Sequence, residues 1–63
     1  MSQGVKIVAV LTARPGKTDA LRDLLISMAP ACRAEPGCQR WDVWHDQSNA
    51  GRFVLDELYM DNA

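Results

Sequence analysis

Glu57 is the residue in this sequence best suited to act as an acid or a base. It lies in the stretch RFVLDELYM, residues 52–60, where strand alternation puts it on one face with Phe53, Leu55 and Tyr59. A carboxylate on an apolar face either has a raised pKa or is paired with a cation. Glu57 is therefore a candidate catalytic residue, and a structural salt bridge or hydrogen bond, for example to Arg14 or Arg40, is the alternative.

Two further residues could complete acid and base chemistry. His45 is the single histidine, and an ordinary histidine pKa of about 6.5 suits a base at neutral pH. Its position beside the polar turn at residues 47–51 favours a half-exposed strand-end residue over a catalytic one. Tyr59 carries a hydroxyl that can donate a hydrogen bond. The predicted catalytic set is Glu57, His45 and Tyr59.

Apolar residues on the same face are candidates for a substrate pocket. Trp41 and Tyr59 could line a flat aromatic cavity, although large aromatics on the inner face of a small sheet are core residues more often. The predicted substrate-binding residues are Trp41, Phe53 and Leu55. Trp44 belongs to the opposite face, where we expect it to anchor a dimer, because buried tryptophans are favoured at interface centres.

The remaining reactive residues are explained without catalysis. Asp42 and Asp56 are predicted to contact Arg40 or Arg52 across a dimer interface. Cys32 and Cys38 are predicted to be reduced thiols that pack in the protein, with a disulfide or a metal site as lesser alternatives. Their spacing, together with one distant histidine, matches no ordinary zinc site, so we predict no metal.

The segment at residues 14–38 predicts the helix that must cover the candidate face. Pro15-Gly16 precedes the helix and Pro36-Gly37 follows it. Pro30 predicts a kink, with an early end of the helix as the alternative. Apolar residues recur three and four apart, as on one side of an amphipathic helix. The predicted apolar stripe comprises Ala20, Leu21, Leu24, Leu25, Met28, Ala29 and Cys32.

Three strands rich in β-branched and aromatic residues are predicted at residues 5–13, 38–46 and 52–60. The turn at residues 47–51 joins the last two as an antiparallel hairpin, in a register that puts Trp41 opposite Glu57. Strand, helix, strand and strand is the opening of a split β-α-β unit, in which the third strand lies beside the first. The sequence therefore predicts an α+β, ferredoxin-like fold, the β-α-β-β part of a β-α-β-β-α-β plan.

The first strand is apolar on both faces, so it needs a second layer besides the helix. A partner chain is the expected supplier, which predicts a homodimer. We expect one domain over residues 1–63 that lacks the last helix and strand of the full plan. Residues 61–63 are typical of the start of that further helix.

Charge and hydropathy exclude several classes of partner. The chain of 63 residues has a net charge of -1 and no run of Lys or Arg, which argues against nucleic acid and anionic membrane surfaces. No apolar run approaches the roughly 20 residues of a membrane span, and no signal peptide is recognisable. We expect a cytoplasmic protein.

Four motifs at this spacing resemble the antibiotic biosynthesis monooxygenase family: ARPGK, the helix ALRDLL, the turn RAEPGC and the strand GRFVLDELY. The resemblance implies a dimeric α+β barrel with a pocket between each sheet and its helices. It also implies oxidation of polycyclic phenols, anthrones or quinols by molecular oxygen, without flavin, metal or haem. Other family members handle small signalling molecules or degrade haem.

The resemblance also bears on the site. In the anthrone oxygenases an Asn and a Trp stand four apart on the third strand, and the matching positions here are Leu55 and Tyr59. Leu55 cannot donate a hydrogen bond to an oxyanion, whereas Tyr59 keeps an aromatic ring and a hydroxyl. The predicted function is a cofactor-independent monooxygenase acting on a small aromatic polyphenol, anthrone or quinol. The alternative is a non-catalytic, dimeric module for small-molecule binding or stress response.

Overall fold

The computed structural model describes residues 3–61, as three strands and one helix. Their order is β1 (Gln3–Thr12), α1 (Thr18–Arg33), β2 (Cys38–His45) and β3 (Arg52–Asp61). This is the predicted order, with strand ends displaced by one or two residues. Asp61 ends β3, and the rest of the helix start predicted at residues 61–63 lies outside the described residues.

The three strands form one antiparallel sheet in the order β1-β3-β2. The hairpin register is the predicted one, with Trp41 opposite Glu57. On the other side of β3, Ile7 of β1 lies opposite Glu57. A long crossover through α1 followed by insertion of β3 beside β1 gives the ferredoxin-like α+β fold, as expected.

The helix α1 covers one face of the sheet, which we call the helix side. Gly16 turns the chain into α1 with a φ of 76°, a left-handed value that glycine adopts without a Cβ clash. The helix continues through Pro30 to Arg33, so the alternative of an early end at Pro30 is excluded. Leu25 and Ala29 are 4% and 8% exposed and carry the contact with the sheet.

The apolar stripe of α1 is narrower than predicted. Leu24 and Met28 are 57% and 41% exposed, because a single sheet contacts only the side of the helix centred on Leu25 and Ala29. The core under α1 is completed by three sheet residues, Trp41, Phe53 and Leu55, which are 3%, 1% and 9% exposed. Partly buried residues pack around this core: Ala9, Leu11, Leu21, Cys32, Cys38 and Val43.

The other face of the sheet, which we call the open side, carries no helix within residues 3–61. Val8 and Val10 of β1 are each 61% exposed there, and Trp44 of β2 is 56% exposed. The second layer predicted for β1 is therefore not supplied by the described part of the chain. Among the described residues, no helix is both long enough and apolar enough to cross a membrane.

Candidate active site

The candidate site is built on the half of β3 that extends past the core. Glu57 and Tyr59 are two residues apart in β3, so their side chains lie on the same face, the helix side. The Tyr59 hydroxyl donates a hydrogen bond to Oε1 of Glu57 at 2.8 Å. Both residues are half-buried. The structure thus joins two of the three predicted catalytic residues into one hydrogen-bonded pair.

Tyr59 is held in its protonated form. Its hydrogen bond to Glu57 raises the pKa of Tyr59 from 10.0 to about 12, and burial and the negative charges of Glu57 and Glu35 act in the same direction. At neutral pH the phenol therefore stays protonated and donates a hydrogen bond to Glu57. A tyrosine in this state orients the carboxylate, and it contributes an aromatic wall and no charge.

Glu57 has no basic partner among the described residues. Of the structural alternative, the salt bridge to Arg14 or Arg40 is not formed within residues 3–61, whereas a hydrogen bond is formed, with Tyr59 as the donor. Arg40 instead contacts Asp42 at 3.7 Å and Asp56 at 3.5 Å on the open side. The contact that Glu57 does make, with the Tyr59 hydroxyl, leaves its Oε2 atom without a hydrogen bond to any described residue.

Glu35, which the sequence did not single out, acts on the site through its charge, which raises the pKa of both Tyr59 and Cys32. It lies in the turn between α1 and β2, where its backbone N–H donates to the Cys32 carbonyl at 3.3 Å and its carbonyl accepts from Cys38 at 3.1 Å. Burial raises the pKa of the Cys32 thiol above 9.0, and the charges of Glu35 and Glu57 raise it further. The motif RAEPGC pointed to this turn, but no spacing rule connected it to Glu57.

The two cysteines are free thiols, as predicted. Both are half-buried against the core, Cys32 from α1 and Cys38 from the start of β2. Cys38 lies opposite Tyr59 in the sheet register. The thiols therefore form part of the wall between the core and the Glu57–Tyr59 pair.

His45 lies at the other end of the sheet. It is opposite Phe53, four residues along β3 from the position of Glu57, which is a separation of about 13 Å. Its ring stacks on Phe53 with centroids 4.7 Å apart, and its Nε2 lies 2.6 Å from the Ala50 carbonyl oxygen. The structure does not bring His45 together with Glu57 and Tyr59.

The three predicted substrate-binding residues lie in the core beneath α1. Phe53 is 1% exposed and has no open surface for a ligand, and Trp41 at 3% is nearly as buried. Leu55 is 9% exposed beside them. In this structure Trp41, Phe53 and Leu55 belong to the core, which lies beside the Glu57–Tyr59 pair on the helix side.

Asp42 and Asp56 face the open side, as the alternation predicts. Asp56 forms an ion pair with Lys6 of β1 and another with Arg40 of β2, and these cations hold its pKa below 3.8. Asp42 contacts Arg40 and Arg33, each at 3.7 Å. Of the two partners expected across an interface, Arg40 contacts both aspartates within the same chain, and Arg52 contacts Asp46 instead.

A cavity of about 300 Å³ lies at the outer edge of β2, and neither Glu57 nor Tyr59 lines it. Arg33 crosses this edge from the end of α1, and its Nε donates to the Trp41 carbonyl at 3.0 Å. Arg33 and Arg40 both have Asp42 as a partner, so the charges of this cavity are largely satisfied internally. The cavity lining comprises Arg33, Cys38, Gln39, Arg40, Trp41 and Asp42.

Comparison with known proteins gives two matches. Residues 4–63 match the family model described as antibiotic biosynthesis monooxygenase. A protein of Mycobacterium tuberculosis (strain ATCC 25618 / H37Rv), named "Putative monooxygenase Rv0793", is 37% identical over 59 residues, which cover 94% of this chain and 57% of that protein. The chain thus spans a little more than half the length of this curated relative. No solved structure matches the chain significantly.

Proposed function

The chain belongs to the antibiotic biosynthesis monooxygenase family, and we propose that it is a cofactor-independent monooxygenase that oxidises a small aromatic polyphenol, anthrone or quinol with molecular oxygen. The observation that carries the proposal is the Glu57–Tyr59 pair on the helix side. A carboxylate with one oxygen oriented by a protonated phenol and the other unbonded can accept a proton from a substrate.

For an anthrone the reaction balances without a cofactor. Glu57 takes one proton from the methylene carbon, and the resulting carbanion reduces molecular oxygen to a carbon-bound peroxide. The proton returns to the peroxide, and elimination of water leaves a carbonyl at that carbon. One oxygen atom enters the product, and the other leaves as water with the two methylene hydrogens. The substrate loses four electrons and molecular oxygen gains four.

In this proposal each residue of the site has a separate role. Glu57 is the base, and Tyr59 orients it and provides a flat aromatic wall. The core residues Trp41, Phe53 and Leu55 hold β3 in place and exclude water from one side of the pair. His45 is about 13 Å away, so we assign it no step in the reaction.

We further propose that the protein works as a homodimer in the cytoplasm, with the open side as the dimer interface. The support is a patch of Val8, Val10 and Trp44 that is 56–61% exposed, next to charges already paired within the chain. An apolar patch flanked by satisfied polar groups is typical of a protein interface. A second copy would supply the second layer that β1 lacks.

A further helix and strand would complete the pocket. Val5 and Ile7 of β1 are 45% and 40% exposed on the helix side, next to Tyr59 and Glu57 in the register. In the full β-α-β-β-α-β plan a second helix covers this half of the sheet. We propose that such a helix closes the site over the Glu57–Tyr59 pair.

Oxygen uptake by the full-length protein tests the proposed reaction. In buffer treated with a chelator, addition of anthrone should produce enzyme-dependent uptake of one molecule of oxygen for each anthraquinone formed. A folded dimer that consumes no oxygen with anthrones, quinols or polyphenols would reject the monooxygenase.

The second candidate is a non-catalytic binding module of the same fold. Leu55 favours it, because this residue is buried in the core and gives the site no polar donor at that position of β3. A binding module should be stabilised against heat by an aromatic ligand without converting it. Stabilisation without oxygen uptake would therefore select the second candidate.

A further inference from the structure

We propose that Gly37 is a positioning residue, which fixes the turn after α1 against the end of β3 and thereby holds Tyr59 against Glu57. Gly37 has no side chain to take part in chemistry, so it acts through the contacts of its backbone. The inference rests on the proposed function only for its effect on turnover, because the Glu57–Tyr59 hydrogen bond is a feature of the structure itself.

The first support is the shape of the turn that contains Gly37. Cys38 donates its backbone N–H to the Glu35 carbonyl at 3.1 Å, which closes a four-residue turn over residues 35–38. Pro36 occupies the second position and Gly37 the third, where φ is 83°. This is the pattern of a type II turn, which needs a positive φ at its third position. Glycine adopts that value without strain, because it has no Cβ atom.

The second support is the close approach of Gly37 to β3. The Gly37 carbonyl accepts a hydrogen bond from the Met60 N–H at 2.8 Å. A Cβ atom on Gly37 would lie only 2.8 Å from the Met60 carbonyl oxygen, whereas ordinary van der Waals contact begins at 3.4 Å. The atom that it would meet belongs to the backbone, so it cannot rotate away as a flexible side chain would. A larger residue must therefore displace the turn from β3 by about 0.6 Å.

The segment that would be displaced includes a residue that lies beside Tyr59. Cys38 follows Gly37 and is the register partner of Tyr59. The register shifts between Cys38 and Arg40, as at a β-bulge, and this shift turns Cys38 to the helix side, where it packs against the core. On its other side Tyr59 has Val5 of β1, which is 45% exposed. The Gly37 contact therefore fixes the more buried of these two neighbours of Tyr59.

The pKa of Tyr59 depends on this geometry. The hydrogen bond to Glu57 is the largest cause of the raised pKa, followed by burial, and the charges of Glu57, Glu35 and Cys38 act in the same direction. Glu35 and Cys38 are the first and last residues of the turn that Gly37 fixes. A displaced turn should therefore weaken the effects of burial and charge, and should let the phenol ring move away from the carboxylate.

Gly37→Ala tests the inference, with titration of Tyr59 by ultraviolet absorbance as the readout. We expect the pKa of Tyr59 to fall from about 12 toward 10.0, because the added Cβ atom displaces the turn. In anthrone oxidation kcat should fall by about threefold to tenfold with little change in KM, since a shift of less than about 1 Å mainly impairs the alignment of the reacting groups. An unchanged pKa in a folded Gly37→Ala protein would overturn the inference.

Gly16→Ala is the matched control. Gly16 also has a positive φ, 76°, but a Cβ atom there would meet no described heavy atom within 4 Å apart from its chain neighbours. It lies beyond Thr12, the register partner of Arg52 at the opposite end of β3 from Met60. We expect a lower melting temperature and a Tyr59 pKa that stays at about 12. An equal fall of the pKa in both alanine variants would show a general loosening of the fold and contradict a positioning role.

A second variant separates the close approach from the backbone conformation. Asn tolerates a positive φ better than Ala does, but it has the same Cβ atom. Gly37→Asn should therefore fold more stably than Gly37→Ala and still lower the pKa of Tyr59. A pKa that stays at about 12 in Gly37→Asn would show that the close approach does not position Tyr59. Loss of the fold in both Gly37 variants, where Gly16→Ala stays folded, would assign Gly37 to the fold as a whole and overturn the inference.

The two readouts separate this inference from the proposed reaction. If Gly37→Ala keeps the Tyr59 pKa of the parent protein while the parent oxidises anthrone, the positioning role is wrong and the monooxygenase stands. If the parent protein consumes no oxygen but the pKa of Tyr59 falls in the Gly37 variants alone, the monooxygenase is wrong and the positioning role stands.

Discussion

Two neighbouring carboxylates on opposite faces of β3 have different contacts. Asp56 points to the open side and contacts two cations, Lys6 and Arg40, which lower its pKa. Glu57, the next residue, points to the helix side and contacts a phenol that stays neutral. Asp56 has two cations beside it within the sheet, whereas Glu57 has none among the described residues and accepts a hydrogen bond from Tyr59 instead.

This difference indicates that the two faces of the sheet have different functions. On the open side the charges are paired and the apolar residues Val8, Val10 and Trp44 are exposed, which suits contact with another protein surface. On the helix side an unpaired carboxylate and a protonated tyrosine lie beside the core, which suits proton transfer. Strand alternation alone separates the two environments, because successive side chains point to opposite faces.

Glu57→Gln should have the largest effect and should act on the helix side alone. Loss of the base is expected to lower kcat/KM for anthrone oxidation by about 10²–10⁴-fold, while the dimer mass stays unchanged. Asp56→Asn, the same chemical change one residue away, is the matched control, and we expect activity within about threefold of the parent dimer. Equal losses in both variants would contradict the division between the faces.

Trp44→Ser should weaken dimer formation through the open side and leave the site on the helix side unchanged. A tryptophan at the centre of an interface typically contributes about 2 kcal/mol or more, so the dimer dissociation constant should rise by about 30-fold or more. Sedimentation equilibrium measures this change. Ile26→Ser is the control, since Ile26 on α1 is also 56% exposed and should not affect assembly. An unchanged dissociation constant for Trp44→Ser would place the interface elsewhere.

The smallest predicted effect concerns acid stability. The contacts of Asp56 with Lys6 and Arg40 lower its pKa in the folded state, so their contribution is present above the ordinary value of 3.8 and is lost as the pH falls through the lowered pKa. Asp56→Asn removes this contribution. Between pH 5 and pH 2 the melting temperature should therefore fall less in the variant than in the parent protein. A larger fall in the variant would show that the open-side charges are not paired as described.

Alternating patterns made the sheet predictable. The hairpin from β2 to β3 has polar turn residues between two strands, and aligning its ends puts Trp41 opposite Glu57, as the structure confirms. The position of β3 beside β1 followed from the long helical crossover. The placement of Trp44 and Asp56 on the face opposite Glu57 followed from the same alternation.

Features that depend on distant contacts were not predictable. The exposure of Leu24 and Met28 depends on how much sheet α1 covers, and periodicity does not report this. The position of Glu35 depends on the turn after α1, which is closed by two backbone hydrogen bonds. His45 shares a face with Glu57, but the face is long enough to keep them about 13 Å apart. Sequence patterns gave the face of each residue, and the distances along that face needed the structure.

The central claim is that Tyr59 donates a hydrogen bond to Glu57 and keeps its own proton because of this contact. Titration of the tyrosine by ultraviolet absorbance tests this claim most directly. The chain has a single tyrosine, so the signal is unambiguous. The account predicts a pKa of about 12 in the native protein and a fall toward 10.0 in Glu57→Gln. Because the folded pKa is raised, the pair should stabilise the fold fully below about pH 10 and lose this effect as the pH rises toward 12. A native pKa near 10.0, unchanged by Glu57→Gln while circular dichroism shows a folded protein, would contradict the pair and the function built on it.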